Sequence, residues 1–285
     1  MTLKIIEISD DEYHKIEAFS NSGCKSILKS PKHFKNNNFG GSVATRIGAL
    51  THELLLRHDN YIDDNYIIFD TKKAMTLKDT ASIKKGNLKP EDVIPKFWPS
   101  LDNDVARKQI KTMKKEASET GTKPKMLLHP AELQEARNLI QNVPDFYKDI
   151  LKNHTRNEFA IVGEINGVPV KCKIDAYEPT NGTIVDAKTT LSMEDFQSPF
   201  KFKKLGYDGQ AYFYKWLCVE AGLYVSAFRF LVMEKDDIYG CKVLECTEKT
   251  LAEGKVKIDR GMAKYKKCLE TNDWDSIYSG EIEYI

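Results

Sequence analysis

Near Asn157 the spacing of apolar residues changes from the three-and-four of helices to the two of strands, and it keeps that period as far as Thr189. Residues 159–162, 168–177 and 183–189 are three successive strand candidates. They are joined by Asn166-Gly167, a pair suited to the positive φ angles of a two-residue hairpin, and by Pro179-Thr180-Asn181-Gly182. A helix predicted over 207–219, with Ala211, Tyr214, Leu217 and Cys218 near one side, leads into strands at 225–233 and 239–246. The β-β-β-α-β order makes 157–247 the main sheet-bearing segment of an α/β fold, a mixed sheet flanked by helices with helical additions.

The rest of the chain reads mainly as helix. One helix should start near Asn21 or Ser22 behind the capping Ser20 and stop at Pro31. A loop with Asn36-Asn37-Asn38 and Gly40-Gly41 precedes a helix over 42–57, whose stripe is Val43, Ile47, Leu50, Leu54 and Leu55. His52 lies on this helix one turn after Gly48, which leaves space beside the imidazole. A strand is expected at 66–69, inside a lysine-rich insertion or peripheral helical region over 60–125. Within it Ala106, Ile110, Met113 and Ala117 recur at helical spacing and Gly121 is a stop signal. Helices are also expected from Pro130, after Pro144, and over 248–270 despite Gly254 and Gly261. With 285 residues and no fixed-period repeat, the chain is expected to be one domain, 1–285, carrying these additions.

Composition narrows the class. The 13 Phe, 13 Tyr and 3 Trp exclude an intrinsically disordered chain, and 30% charged residues without an 18-residue apolar run exclude a membrane-spanning helix. The opening residues reach Glu7, Asp10, Asp11 and Glu12 too soon for a signal peptide, so a cytoplasmic location is expected. A net charge of +1 hides an uneven distribution, since Thr71 to Lys125 holds 14 Lys+Arg against 7 Asp+Glu. That excess suits either a phosphate-facing surface or a solvated helical face. The six Cys form no Cys-x-x-Cys pair and are expected to stay reduced.

The strongest chemical signal is Lys173-Ile174-Asp175 followed by Asp186-Ala187-Lys188. If 179–182 is a four-residue loop, residue 178 faces 183 and the register sets Asp175 opposite Asp186, with Cβ atoms ~5 Å apart. Such carboxylates repel unless a proton or cation intervenes. A Mg²⁺ ion on Asp175 and Asp186 would meet that need, with Lys188 orienting or deprotonating a water or stabilising phosphoryl charge. Ordinary surface contacts on a solvent-facing hairpin are the competing reading. His52 is a candidate further ligand or a packed core histidine, and its local run lacks the second histidine of a zinc protease. Gln210 and Tyr214, four apart on one helix face, suit either contact with a nucleotide strand or helix packing. No phosphate-binding G-x-x-x-x-G-K-[S/T] loop is present, so any cleavage is independent of a built-in ATPase.

In order, Ser20-Asn21-Ser22, Ser30-Pro31-Lys32-His33-Phe34, Gly48-Ala49-Leu50-Thr51-His52, Lys173-Ile174-Asp175, Asp186-Ala187-Lys188 and Gln210-Ala211-Tyr212-Phe213-Tyr214 form a pattern running from residue 20 to residue 214. This pattern resembles the PD-(D/E)xK nuclease superfamily, and within it the phage exonucleases similar to RecE, the exodeoxyribonuclease VIII family. The resemblance implies a restriction-endonuclease-like fold with Asp175, Asp186 and Lys188 catalytic. It also implies His52, Asp175 and Asp186 as ligands of Mg²⁺, or of Mn²⁺ in its place, and Gln210 and Tyr214 on DNA. Glu158 resembles an acidic residue ahead of the catalytic hairpin, with Glu164 the other option for that position. Ile174 departs from the literal Pro-Asp pair.

Such relatives degrade linear double-stranded DNA from the 5′ strand without ATP, leaving 3′ single strands for a separate annealing recombinase. They commonly close into rings. The resemblance thus implies a homotrimer or homotetramer of phage or prophage origin in a bacterial cytoplasm. The alternatives are another RecB-like nuclease acting on single strands or flaps, including a form with an iron-sulfur cluster on Cys24, Cys241, Cys246 and Cys268, or a noncatalytic DNA-binding phage protein.

Overall fold

Ser9 opens the first helix with a reciprocal cap, its hydroxyl accepting from the Glu12 N–H while the Glu12 carboxylate accepts from the Ser9 N–H. In this computed structural model, which describes residues 3–36, 43–57, 59–69, 81–82, 84–86 and 104–275, the chain forms two units. One comprises 1–40 and 143–285, the other 41–142.

The first unit begins with β1 (Lys4–Glu7), α1 (Asp10–Lys15), α2 (Asn21–Lys29) and α3 (Pro31–Lys35). The Ser20 cap and the stop at Pro31 are as the sequence predicts, although Pro31 also starts the next helix, where a proline needs no N–H partner. β1 and α1 are not foreseen: the strand is short, and the helix has no buried residue to betray it by period.

The second unit holds α4 (Val43–Leu56), α5 (Tyr61–Asn65), β2 (Tyr66–Ile68), α6 (Asp104–Thr120), β3 (Met126–Leu128) and α7 (Pro130–Gln141). Leu50, Ile62, Leu128, Leu133 and Ala136 form its core, β2 pairs parallel with β3, and the buried Glu132 carboxylate is held by Arg46 Nε at 2.9 Å. The loop residues 37–42 and residues 70–80, 83 and 87–103 of the lysine-rich stretch lie outside the described residues.

The chain then returns to the first unit through α8 (Asp145–Asp149) and a π turn at Ile150–His154. There follow β4 (Arg156–Ile165), β5 (Val168–Glu178), β6 (Thr183–Thr190), α9 (Met193–Gln197), α10 (Pro199–Leu205), α11 (Tyr207–Glu220), β7 (Ala227–Glu234), β8 (Cys241–Glu245) and α12 (Glu248–Thr271). The six-stranded sheet has the order β1-β4-β5-β6-β7-β8, antiparallel except for the β6–β7 pair. Asn166 (φ 53°) and Gly167 (φ 80°) make the expected tight turn between β4 and β5.

Phe19, Phe159, Phe213, Phe228 and Phe230 are fully buried in the core on this sheet. Burial of each such side chain stabilises by roughly 1.5–3 kcal/mol, which is what holds the site-bearing strands in register. All six cysteines are free thiols, and burial raises the Cys24 thiol to about 12. Among the described residues no helix is long and apolar enough to cross a membrane.

α12 lies close on α11 because Gly254 has no side chain: a Cβ there would stand 2.1 Å from the Asp208 carbonyl oxygen. Gly254→Ala would gain ~1 kcal/mol in helix propensity yet force two backbones apart, an overpacking cost of ~1–3 kcal/mol. Urea unfolding followed by circular dichroism should therefore show a lowered midpoint for Gly254→Ala. A midpoint equal to or above that of the parent would refute the close-contact role.

Candidate active site

Three adjacent strands bring carboxylates to one stretch of the sheet. Asn157 opposite Ala176 and Phe159 opposite Ile174 set Glu158 of β4 against Asp175 of β5. At this position the regular pairing lapses, and Glu158 takes φ 55°, a left-handed conformation that L-residues with long side chains rarely adopt. Carboxylate oxygens of Glu158 and Asp175 lie within 4.8 Å of one another. On the other side, Glu178 faces Thr183 and Ala176 faces Val185, so the same register carried one step further sets Asp175 against Asp186. There the ladder stops, and Asp175 Oδ2 accepts from the Ala187 N–H at 2.9 Å. The side chain takes the place of a strand carbonyl and ties the two strands together.

Each acidic residue has a basic neighbour. Lys173 Nζ lies 2.5 Å from Glu158 Oε2 and also pairs with Asp10 at the start of α1. Burial alone would lower the Lys173 ammonium, but Glu158 and Asp10 outweigh it and raise its pKa. Lys188 Nζ pairs with Asp186 Oδ1. Burial likewise opposes its charge, and Asp186 and Asp175 together raise it. These carboxylates thus favour the ammonium form of Lys188. The Tyr207 and Phe230 rings lie around it at 5.8 Å.

Asp175 is the unstable member. Burial is the main cause that raises it to about 6, Glu158 adds to the rise, and Lys188 and the Ala187 N–H only partly offset it. Desolvation and a second carboxylate alongside disfavour the charged form of Asp175, and the hard oxygen donors of Glu158 and Asp175, within 4.8 Å of one another, suit a divalent cation such as Mg²⁺ or Mn²⁺.

Of the other residues singled out by sequence, Gln210 is buried on α11 and its Nε2 donates to Asp186 Oδ2 at 2.6 Å. Tyr214, one turn on, has its phenol raised well above the ordinary value by burial, with smaller contributions from Tyr13, Asp186, Cys172 and Asp175. Glu164 faces Pro169 near the far end of the β4–β5 hairpin. His52 lies half-buried in the middle of α4 in the second unit, beside Glu53, whose carboxylate accepts from the Tyr66 hydroxyl at 2.9 Å. The sequence does not mark Lys173 and Asp10 as partners within the site. The pairing of Lys173 with Glu158 follows from no local spacing, because it crosses strands.

A family described as a PDDEXK-like domain of unknown function (DUF3799) matches residues 20–285. The chain belongs to that family. Its fold is the PD-(D/E)xK nuclease type, a mixed sheet flanked by helices. It is similar to the crystal structure of a protein named "Putative exonuclease" from Eubacterium rectale, with a TM-score of 0.53 and 18% identity over 98% of this chain and 89% of that one. A second structure, SSO0001, has a TM-score of 0.29 and 14% identity over 78% of this chain and 88% of that one, too low a similarity to carry an argument. No curated protein matches the chain.

The raised Asp175 pKa has a signed consequence for stability. Its ordinary value is 3.8, so between about pH 4 and pH 6 the folded chain binds more protons than the unfolded one, and stability falls as pH rises through that window. Asp175→Asn keeps an acceptor for the Ala187 N–H and removes the charge. In chelator, it should stabilise the protein at pH 7 by on the order of 1–3 kcal/mol relative to its effect at pH 4. Urea midpoints of parent and variant across pH 4–7 check this, and a parent–variant difference that stays constant would contradict the burial account.

Proposed function

We propose that the protein is a divalent-metal-dependent, ATP-independent exonuclease on linear double-stranded DNA, acting 5′ to 3′ and leaving 3′ single strands for an annealing recombinase. The observation that carries it is the opposed Glu158–Asp175 pair next to Asp186-Ala187-Lys188, in a chain of a PDDEXK-like family. Glu158 and Asp175 would hold a divalent cation there, which would supply Lewis-acid polarisation of a phosphodiester and activation of water.

The chain's own residues have separable tasks. Asp175 and Glu158 supply oxygen donors, with Asp175 fixed by the Ala187 N–H and Glu158 by Lys173. Asp186 holds Lys188 with one oxygen and Gln210 with the other, so a single carboxylate orients both groups. Its own donation to the metal, and that of His52 from α4, follow from the family resemblance. Lys188, kept charged by its neighbours, stabilises the negative charge that builds on the phosphoryl oxygens during attack. Gln210 acts on DNA through Asp186 in this reading, while Tyr214 supports the same helix face.

End-directed cutting and 5′ polarity rest on the resemblance to RecE-like enzymes, and the name borne by the Eubacterium rectale protein agrees with cutting from ends. A ring of three or four identical subunits would keep the duplex tethered between cuts.

Asp186→Ala should remain folded and lose most Mg²⁺-dependent turnover, while Lys188→Ala should slow single-turnover cleavage more than it weakens DNA binding in Ca²⁺. Lys188→Arg should not restore full rate, since the planar guanidinium distributes its charge differently. Duplexes labelled at either terminus, with single-stranded and closed circular controls, read these effects together with polarity. Unchanged turnover in folded Asp186→Ala defeats the site assignment. First loss of a 3′ label, or ready cutting of circles, defeats the 5′ exonuclease reading, and light scattering from an active monomer defeats the ring.

A further inference from the structure

A second concave, charged feature lies in the first unit. Lys25 and Lys29 of α2, Lys203 and Lys204 of α10, and Lys257 of α12 line one cavity of about 430 Å³. Two carboxylates offset them: Asp208 pairs with Lys257 at 2.7 Å, and Glu253 with Lys203 at 2.9 Å. Five ammonium groups and two carboxylates leave an excess of three positive charges around one concavity.

Two of the five lysines, Lys25 and Lys257, are anchored by backbone groups. Gly206 ends α10 with φ 76°, and a Cβ there would stand 2.8 Å from Lys25 Cδ, so the lysine stem lies directly over the turn. Its ammonium donates to the Leu205 carbonyl at 3.1 Å, a neutral partner that leaves its charge uncompensated. Lys257 is fixed similarly, donating to the Lys203 carbonyl at 2.8 Å. Burial and then the like charges of Lys188, Lys29 and Lys257 lower the Lys25 pKa, so the cavity's charge adjoins that of the candidate active site. Beside it Phe200 is 73% exposed on α10, with Lys204 Nζ 5.9 Å from its ring centre.

We propose that this cavity is a phosphate-binding subsite for the backbone of a nucleic-acid strand, with Phe200 as the platform on which an adjoining base stacks. Clustered lysines that outnumber the carboxylates among them bind phosphate oxygens as point charges, and an exposed ring beside them adds the stacking that distinguishes a strand from a free anion. The inference rests on the nucleic-acid reading of the neighbouring site and extends it to residues outside the metal-ligand set.

The test measures binding of a labelled single-stranded oligonucleotide and of a duplex with a single-stranded end, in Ca²⁺ over a range of salt. Lys29→Gln/Lys204→Gln should reduce the slope of log affinity against log salt by ~0.7–0.9 for each phosphate that is no longer neutralised. Lys29→Arg/Lys204→Arg should keep it, and circular dichroism should match the parent for both. Phe200→Leu should weaken oligonucleotide binding while leaving competition by inorganic pyrophosphate unchanged. An unaltered slope in Lys29→Gln/Lys204→Gln overturns the subsite, and so does lysine-dependent binding of pyrophosphate with no binding of either DNA. A parent inactive in Mg²⁺ that still binds DNA through these lysines contradicts the nuclease reading and supports the subsite. A fully active enzyme with an unaltered slope does the reverse.

Discussion

Electrostatic repulsion between Glu158 and Asp175, on strands next to the one that carries Asp186, is the constraint around which the candidate site is arranged. Neighbouring strands in register place like charges side by side, and burial, partial at Glu158 and Asp175 and nearly complete at Asp186, reduces the water that would screen them. Two local devices hold the arrangement in place. Lys173 and Lys188 supply positive charge at either side, and the Ala187 N–H turns the Asp175 carboxylate into part of the sheet's hydrogen bonding. The left-handed backbone at Glu158 persists because strand pairing continues on both sides of it. Desolvation still holds the Asp175 pKa at about 6, and its oxygen donors together with those of Glu158 suit a divalent cation.

The surrounding fold keeps that arrangement rigid. β6 carries Asp186 and Lys188 and is hydrogen-bonded on both edges, antiparallel to β5 and parallel to β7, while α11 reaches Asp186 from above through Gln210. α11 is itself held down by α12 at Gly254, and α2 by the approach of Cys24 and Phe19 to Gly261. A change in these glycine contacts would therefore reach the site through α11 without touching a carboxylate. The lysine cavity shares the same supports, since Lys257 of α12 and Lys25 of α2 both donate to carbonyls in the last turn of α10.

The elements legible in the sequence are those with a strong local signature. Asn166-Gly167 and the four-residue loop before Thr183 determine the β4–β5–β6 register, and with it the Asp175 and Asp186 alignment, because turn length and the period of two leave little freedom. Ser20, Pro31 and Gly121 mark helix ends for equally local reasons. Missed elements lack such signals: β3 has three residues, α9 and α10 are single turns or little more, and α1 buries nothing. The Ser9-x-x-Glu12 cap is nevertheless readable as a helix start. In the site, the Glu158–Lys173–Asp10 chain depends on tertiary approach between β1–α1, β4 and β5, and Gln210's engagement with Asp186 depends on how α11 crosses the sheet. Neither can be read from spacing along one element.

Everything proposed for the site turns on Glu158 and Asp175 forming the oxygen core of a divalent-cation site. Thermal unfolding with and without Mn²⁺ at fixed ionic strength probes that pair without recourse to turnover, because a ligand at ~100 times its dissociation constant stabilises the folded state by ~2.7 kcal/mol whatever the enzyme's activity. A Mn²⁺-dependent rise in Tm is expected for the parent and should be largely lost in Asp175→Asn and in Glu158→Gln, with both variants folded in chelator. An equal Mn²⁺-dependent rise in the parent and both variants would contradict the assignment.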